Sequence, residues 1–91
     1  MKNLDSNTIV SRLADFLSKY SYQYKKGHTY DTFEARGRYL GYLEALYDSG
    51  VIKFSQYANL TGLYLSVEVL PLAAYKTVPE CAELINRVLG N

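Results

Sequence analysis

The sequence predicts a small all-α protein, four helices in a single domain spanning residues 1–91, and three observations carry that expectation. Apolar residues recur at the three- and four-residue spacing of amphipathic helices along most of the chain. Caps, first-turn prolines and terminal glycines punctuate the intervals between those stretches. The length suits one domain and leaves little room for a second. A chain this short buries only about two thirds of its unfolded surface, so association with another copy is a common remedy.

The first helix is expected at about residues 8–26. Ile9, Val10, Leu13, Phe16, Leu17, Tyr20 and Tyr24 share one side. Arg12, Asp15, Ser18, Lys19, Tyr22 and Lys26 take the other. Asp5, Ser6 and Asn7 are candidate caps, and Gly27 is the stop.

The second helix is expected at 31–49, where "DTFE" has the spacing of a capping box with Asp31 as cap. Gly50 follows as a left-handed terminator. Its apolar face is broad: Phe33, Ala35, Tyr39, Leu40, Tyr42, Leu43, Leu46 and Tyr47. Gly37, Gly41 and Ala45 fall on the opposite side with Glu34, Arg38, Glu44 and Asp48.

The third helix is expected at 55–70, with Ser55 as cap and Pro71 as stop. Tyr57, Leu60, Leu63, Tyr64, Val67 and Leu70 form one stripe; Ala58, Leu65 and Val69 form a second. A helix apolar on two sides is expected at the centre of a bundle. The alternation in "LSVEV" is the rival signal, for a strand. The fourth helix, 78–89, opens on "TVPE" with Thr77 as cap, Pro79 in the first turn and Glu80 reaching back. Cys81, Leu84, Ile85, Val88 and Leu89 lie opposite Glu80, Glu83, Asn86 and Arg87, and Gly90 closes it.

Composition narrows the functional classes. The formal charge of +1 gives no overall pull toward nucleic acid or an acidic membrane. The lone Cys81 excludes an internal disulfide and fits a reducing compartment. The first ten residues have no leader-like apolar core, and the longest apolar run, "VLPLAAY", falls far short of the roughly 20 residues of a membrane span. The expectation is a cytoplasmic protein without membrane contact. Seven of the ten tyrosines lie between Tyr20 and Tyr47, and tryptophan is absent. Tyrosine, with an apolar body and a polar tip, suits half-buried positions and interfaces.

Two glycines inside the second helix pose the main question, because each costs about 1 kcal/mol relative to alanine. Gly37, Gly41 and Ala45 put three small residues on one line, where another backbone can approach closely. Either the first or fourth helix of the same chain crosses there, or the line is a groove for a second copy or a foreign protein, or the glycines are tolerated without any purpose. In the second case Glu34, Arg38, Glu44 and Asp48 form its polar rim. Arg36 projects into the apolar face near Tyr39, Leu40, Leu43 and Tyr47. It either lays its stem along the core edge or anchors an interface.

A second candidate surface is basic: Arg12, Lys19, Lys25 and Lys26, with Tyr22 as the exposed ring among them. Tyr20 and Tyr24 belong to the buried stripe, which weakens a nucleic-acid reading. A helix-turn-helix fits poorly, since "SQYANLTGLYLSVEVL" offers no lysine or arginine to a groove. One histidine and one cysteine, with no metal-ligand or nucleophile motif, give no catalytic constellation. No cofactor and no metal are expected. The function expected is non-enzymatic protein–protein interaction, as a homodimer or docked on a larger protein. Size and lack of catalytic equipment are shared with small phage- and plasmid-encoded inhibitors of host complexes, anti-CRISPR proteins among them. Nucleic-acid binding through the basic face is the alternative.

Overall fold

In the computed structural model, residues 6–69 and 76–90 are described, the side chains of residues 65–69 left out. Helix α1 (Ser6–Lys26) is followed by α2 (Thr29–Asp48), α3 (Phe54–Val69) and α4 (Val78–Leu89), so the expected all-α class is what the chain adopts. The helix through Val69 also removes the strand alternative at residues 65–69. Asp5, Leu70 and Pro71, expected as cap, stripe and stop, lie outside the described residues.

Helix α1 is central, packing extensively against both α2 and α4. Ile9, Val10, Leu13, Ala14, Leu17 and Tyr20 supply its share of the core, which meets Ala35, Tyr39, Leu43 and Leu46 of α2, Leu60 of α3, and Cys81 and Ile85 of α4. Each large side chain fully buried here contributes about 1.5–3 kcal/mol. Helix α3 does not hold the central place its two stripes predicted: among its described side chains only Leu60 is fully buried, and Ala58 is exposed. The side chains of Leu65, Val67 and Val69 fall outside the description.

Because α1 is covered on two sides, its buried arc is wider than the apolar stripe. Ser18, expected on the solvent side, is buried and donates to the Lys76 carbonyl at 2.8 Å. The Lys76 N–H donates in turn to Ser21 Oγ at 2.8 Å. These two bonds fasten the start of the α4 segment onto α1. Tyr24, expected in the stripe, is exposed at the end of the helix.

Both glycine stops behave as expected. Gly27 and Gly50 have φ of 76° and 77°, the left-handed region that favours glycine. After α1, the Gly27 N–H donates to the Tyr24 carbonyl and the His28 N–H to that of Gln23. After α2, Gly50 donates to Tyr47 and Val51 to Leu46 in the same pattern. The starts differ more. Helix α2 begins two residues before Asp31, at Thr29, because the His28 carbonyl accepts both the Thr32 N–H and the Thr32 hydroxyl. Asp31 therefore sits in the first turn, where its charge suits the helix dipole, and no side chain caps the helix. Helix α3 starts at Phe54; Gln56 Oε1 accepts the Lys53 N–H, so Ser55 is not the cap. Only α4 keeps the expected box, with Thr77 and Glu80 bonded reciprocally.

Candidate functional site

Helix α2 presents two different sides. Its inner side, through Thr32, Ala35, Tyr39, Leu43 and Leu46, is buried. There the Tyr39 hydroxyl donates to the Leu60 carbonyl, and burial pushes its pKa well above the usual tyrosine value. The outer side carries Gly37, Gly41 and Ala45, all exposed. A Cβ built at Gly37 or Gly41 meets nothing within 4 Å. Neither α1 nor α4 crosses the small-residue line, so the internal crossing is excluded and the cost of both glycines is not offset within the described residues.

The apolar face of α2 is too wide for the neighbours it has. Phe33 and Tyr47, expected in the core, are 55% and 38% exposed, and Tyr30 is 77% exposed. Positions 30, 33, 37, 40, 44 and 47 alternate three- and four-residue steps and so form one line on the helix. Tyr30, Phe33, Gly37, Leu40 and Tyr47 make this second, outward seam, interrupted by Glu44. Phe33, Leu40 and Tyr47 fit the expected broad apolar face equally well, while Gly37 was expected on the opposite side and Tyr30 before the helix.

The seam has an aromatic end and an arginine end. At one, Tyr47 stacks on Tyr57 with centroids 5.0 Å apart, and Phe54, 63% exposed, meets Tyr47 edge-on at 5.8 Å. At the other, half-buried Arg36 lies over the Phe33 ring at 4.8 Å and the Tyr64 ring at 5.6 Å. Its ring partners are Phe33 and Tyr64, not Tyr47. Glu34 and Arg38 form an exposed ion pair at 3.6 Å, worth little by itself. Glu44 and Asp48 are exposed beside it.

The basic face is brought together in part. Arg12, Lys19 and Tyr22 line a groove of about 560 Å³ with Phe16 and Val78, and Lys26 Nζ lies 5.6 Å over the Tyr22 ring. Asp15 stands in the same groove and subtracts from its positive charge. Lys25 is exposed but does not line it.

Reactive groups are kept apart. Cys81 is buried, with burial pushing its thiol up to about 12, so a thiolate is scarce at neutral pH. His28 is exposed at the α1–α2 turn, its Nδ1 2.8 Å from Gln23 Oε1. Among the described residues no group of His, Cys, Asp and Glu is arranged to hold a metal, and no helix is long and apolar enough to cross a membrane.

Compared with known proteins, the chain matches no family model, no curated protein and no solved structure. Any functional reading therefore rests on the geometry of these surfaces.

Proposed function

We propose that this chain is a non-enzymatic protein–protein interaction module whose contact surface is the outer side of α2. The open space beside Gly37 and Gly41 carries the reading. Two interior glycines cost about 2 kcal/mol together relative to alanine. A helix of another chain, laid along the seam, would bring its backbone against them and recover dispersion contacts that a larger residue would block. Tyr30, Phe33, Tyr47 and Phe54 flank that line, and exposed aromatic residues supply the anchors of protein interfaces. Glu34, Arg38 and Asp48 form the rim, Glu44 puts one charge within the seam, and Arg36 closes one end. The partner is a second copy or a larger protein. By the analogy of size, the second form includes inhibition of a host complex by a phage or mobile-element accessory protein.

Gly41→Leu tests this. The new side chain meets open space in a helix, so the helical fold is expected to be kept and the melting temperature of the isolated chain not to fall. Sedimentation velocity is expected to show a wild-type dimer that the variant loses. For a wild-type monomer, nuclease-treated lysate is expected to yield a partner captured by wild type and not by Gly41→Leu. A variant that associates and captures as the wild type does would sink the reading.

The second reading, nucleic-acid binding on α1, is favoured by the gathering of Arg12, Lys19 and Tyr22 into one groove with Lys26 over Tyr22. It requires affinity for a single-stranded oligonucleotide that collapses between low and physiological salt. A protein contact along α2 changes little over that range.

A further inference from the structure

The turn between α1 and α2 leaves a recess of about 250 Å³ between Tyr20, Tyr24, Phe33 and Arg36, with Gly27 and Thr32 at its edge. Its walls are aromatic and it holds one charge. The Arg36 guanidinium is held by the faces of Phe33 and Tyr64, and among the described residues no carboxylate pairs with it. A guanidinium stacked on rings keeps its N–H edges for an acceptor in its own plane. The Thr32 hydroxyl is already donated to the His28 carbonyl; Thr29 and the two tyrosines bring neutral hydroxyls, and Arg36 is the charged donor of the recess. Three other grooves among the described residues differ on this point. That of α1 includes Asp15, that between α1 and α2 includes Asp31 and Glu34, and that of α4 includes Glu80 and Glu83.

We propose that this recess binds an organic carboxylate with a small aromatic body, the carboxylate bidentate on Arg36 and the body against Tyr20, Tyr24 and Phe33. The pairing follows from charge and size together. Arginine and carboxylate match as two parallel hydrogen bonds. A cavity of about 150 Å³ accepts a benzene, so this recess has room for a ring and its acid group, with the rest of a larger ligand outside it. The carboxylate belongs either to a free acid or to the C-terminus of a peptide. This assignment does not depend on α2's outer side being an interface.

The test is an amide-resolved NMR titration of the full chain with 3-phenylpropionate, its neutral amide serving as the paired control. Saturable shifts are expected at the amides of Tyr24, Gly27, Thr32, Phe33 and Arg36. The neutral amide is expected to bind about tenfold more weakly or worse, the loss of a charge-assisted hydrogen bond. Arg36→Met keeps the stem and is expected to abolish the preference for the acid. Arg36→Lys retains the charge and part of the affinity, and serves if the Met variant loses its helical circular dichroism. The peptide Ala-Ala-Phe, with free or amidated C-terminus, separates the two sources. Tighter binding by the free-terminus peptide than by 3-phenylpropionate assigns a chain end, and weaker binding assigns a free acid. Equal affinity for acid and amide overturns the proposal, as do shifts spread over Lys19, Lys25 and Lys26 or shifts that never saturate. Phe33 and Arg36 border the α2 contact as well, so the titration is run on Gly41→Leu too: saturable, acid-selective binding in that variant carries the assignment whether or not the wild type associates, and the two failures are read separately.

Discussion

Helices α1 and α2 are nearly equal in length, 21 and 20 residues, and both carry more apolar surface than one neighbour covers. Their fates differ. Helix α1 lies between α2 and α4, and even Ser18 and Ser21 are drawn into the buried arc. Helix α2 is covered on its inner side, while Tyr30, Phe33 and Tyr47 stay exposed beside two bare glycines. Apolar periodicity sets the direction in which side chains point. What stands opposite them is decided by the other helices. On α1 the surplus became core; on α2 it became surface.

The largest expected effect breaks or confirms that contrast directly. Leu17→Ala, in the covered helix, is expected to cost about 2–5 kcal/mol and to lower the melting temperature by many degrees. Tyr30→Ala, on the seam of α2, is expected to stay within about 0.5 kcal/mol. Urea unfolding of both variants decides it: a similar cost for each would mean that α2's outer side is packed after all.

A smaller effect sharpens the comparison at the helix starts. The Thr77 backbone N–H and then its hydroxyl hold the Glu80 carboxyl below its ordinary value of 4.5. A carboxyl lowered on folding stabilises the fold above its unfolded pKa, and that part is lost as pH falls through the folded value. Thermal melts are therefore expected to drop in stability below pH 4.5, less steeply in Glu80→Gln. The uncapped start of α2, with His28 exposed and its side chain unused by the helix, predicts almost no cost for His28→Ala.

On the outer side of α2 the expected effects have the opposite sign. Gly37→Ala and Gly41→Ala are each expected to stabilise the isolated chain by about 1 kcal/mol, since both Cβ atoms enter open space in a helix. Thermal melts at low protein concentration read this. A loss of stability at either position would mean that something covers the line.

Much of the fold was legible in short-range chemistry. The four helices, the glycine turns at Gly27 and Gly50, and the reciprocal Thr77–Glu80 cap each depend on residues a few positions apart. The sequence also singled out Gly37, Gly41 and Arg36. It could not place Ser18, whose burial depends on the carbonyl of Lys76, 58 residues along the chain. The same limit split the seam of α2, because Phe33 and Tyr47 lie at helical spacing from core residues and from outward ones alike. The starts of α2 and α3 were missed for a local reason. In each, a backbone carbonyl or a Gln56 side chain took the place that a nearby Asp or Ser was expected to fill.

The central helix is the N-terminal one, and this sets an order on folding. Helices α1 and α2 are joined by Gly27 and His28 alone, so their pairing closes almost no loop. The bonds from Ser18 and Ser21 to Lys76 close loops of 58 and 55 residues and can form only when the far segment returns. The α1–α2 hairpin is thus the natural nucleus, with α4 docking late. Stopped-flow measurements are expected to show Leu43→Ala slowing folding, while Ile85→Ala chiefly speeds unfolding. The reverse pattern would place α4 in the nucleus.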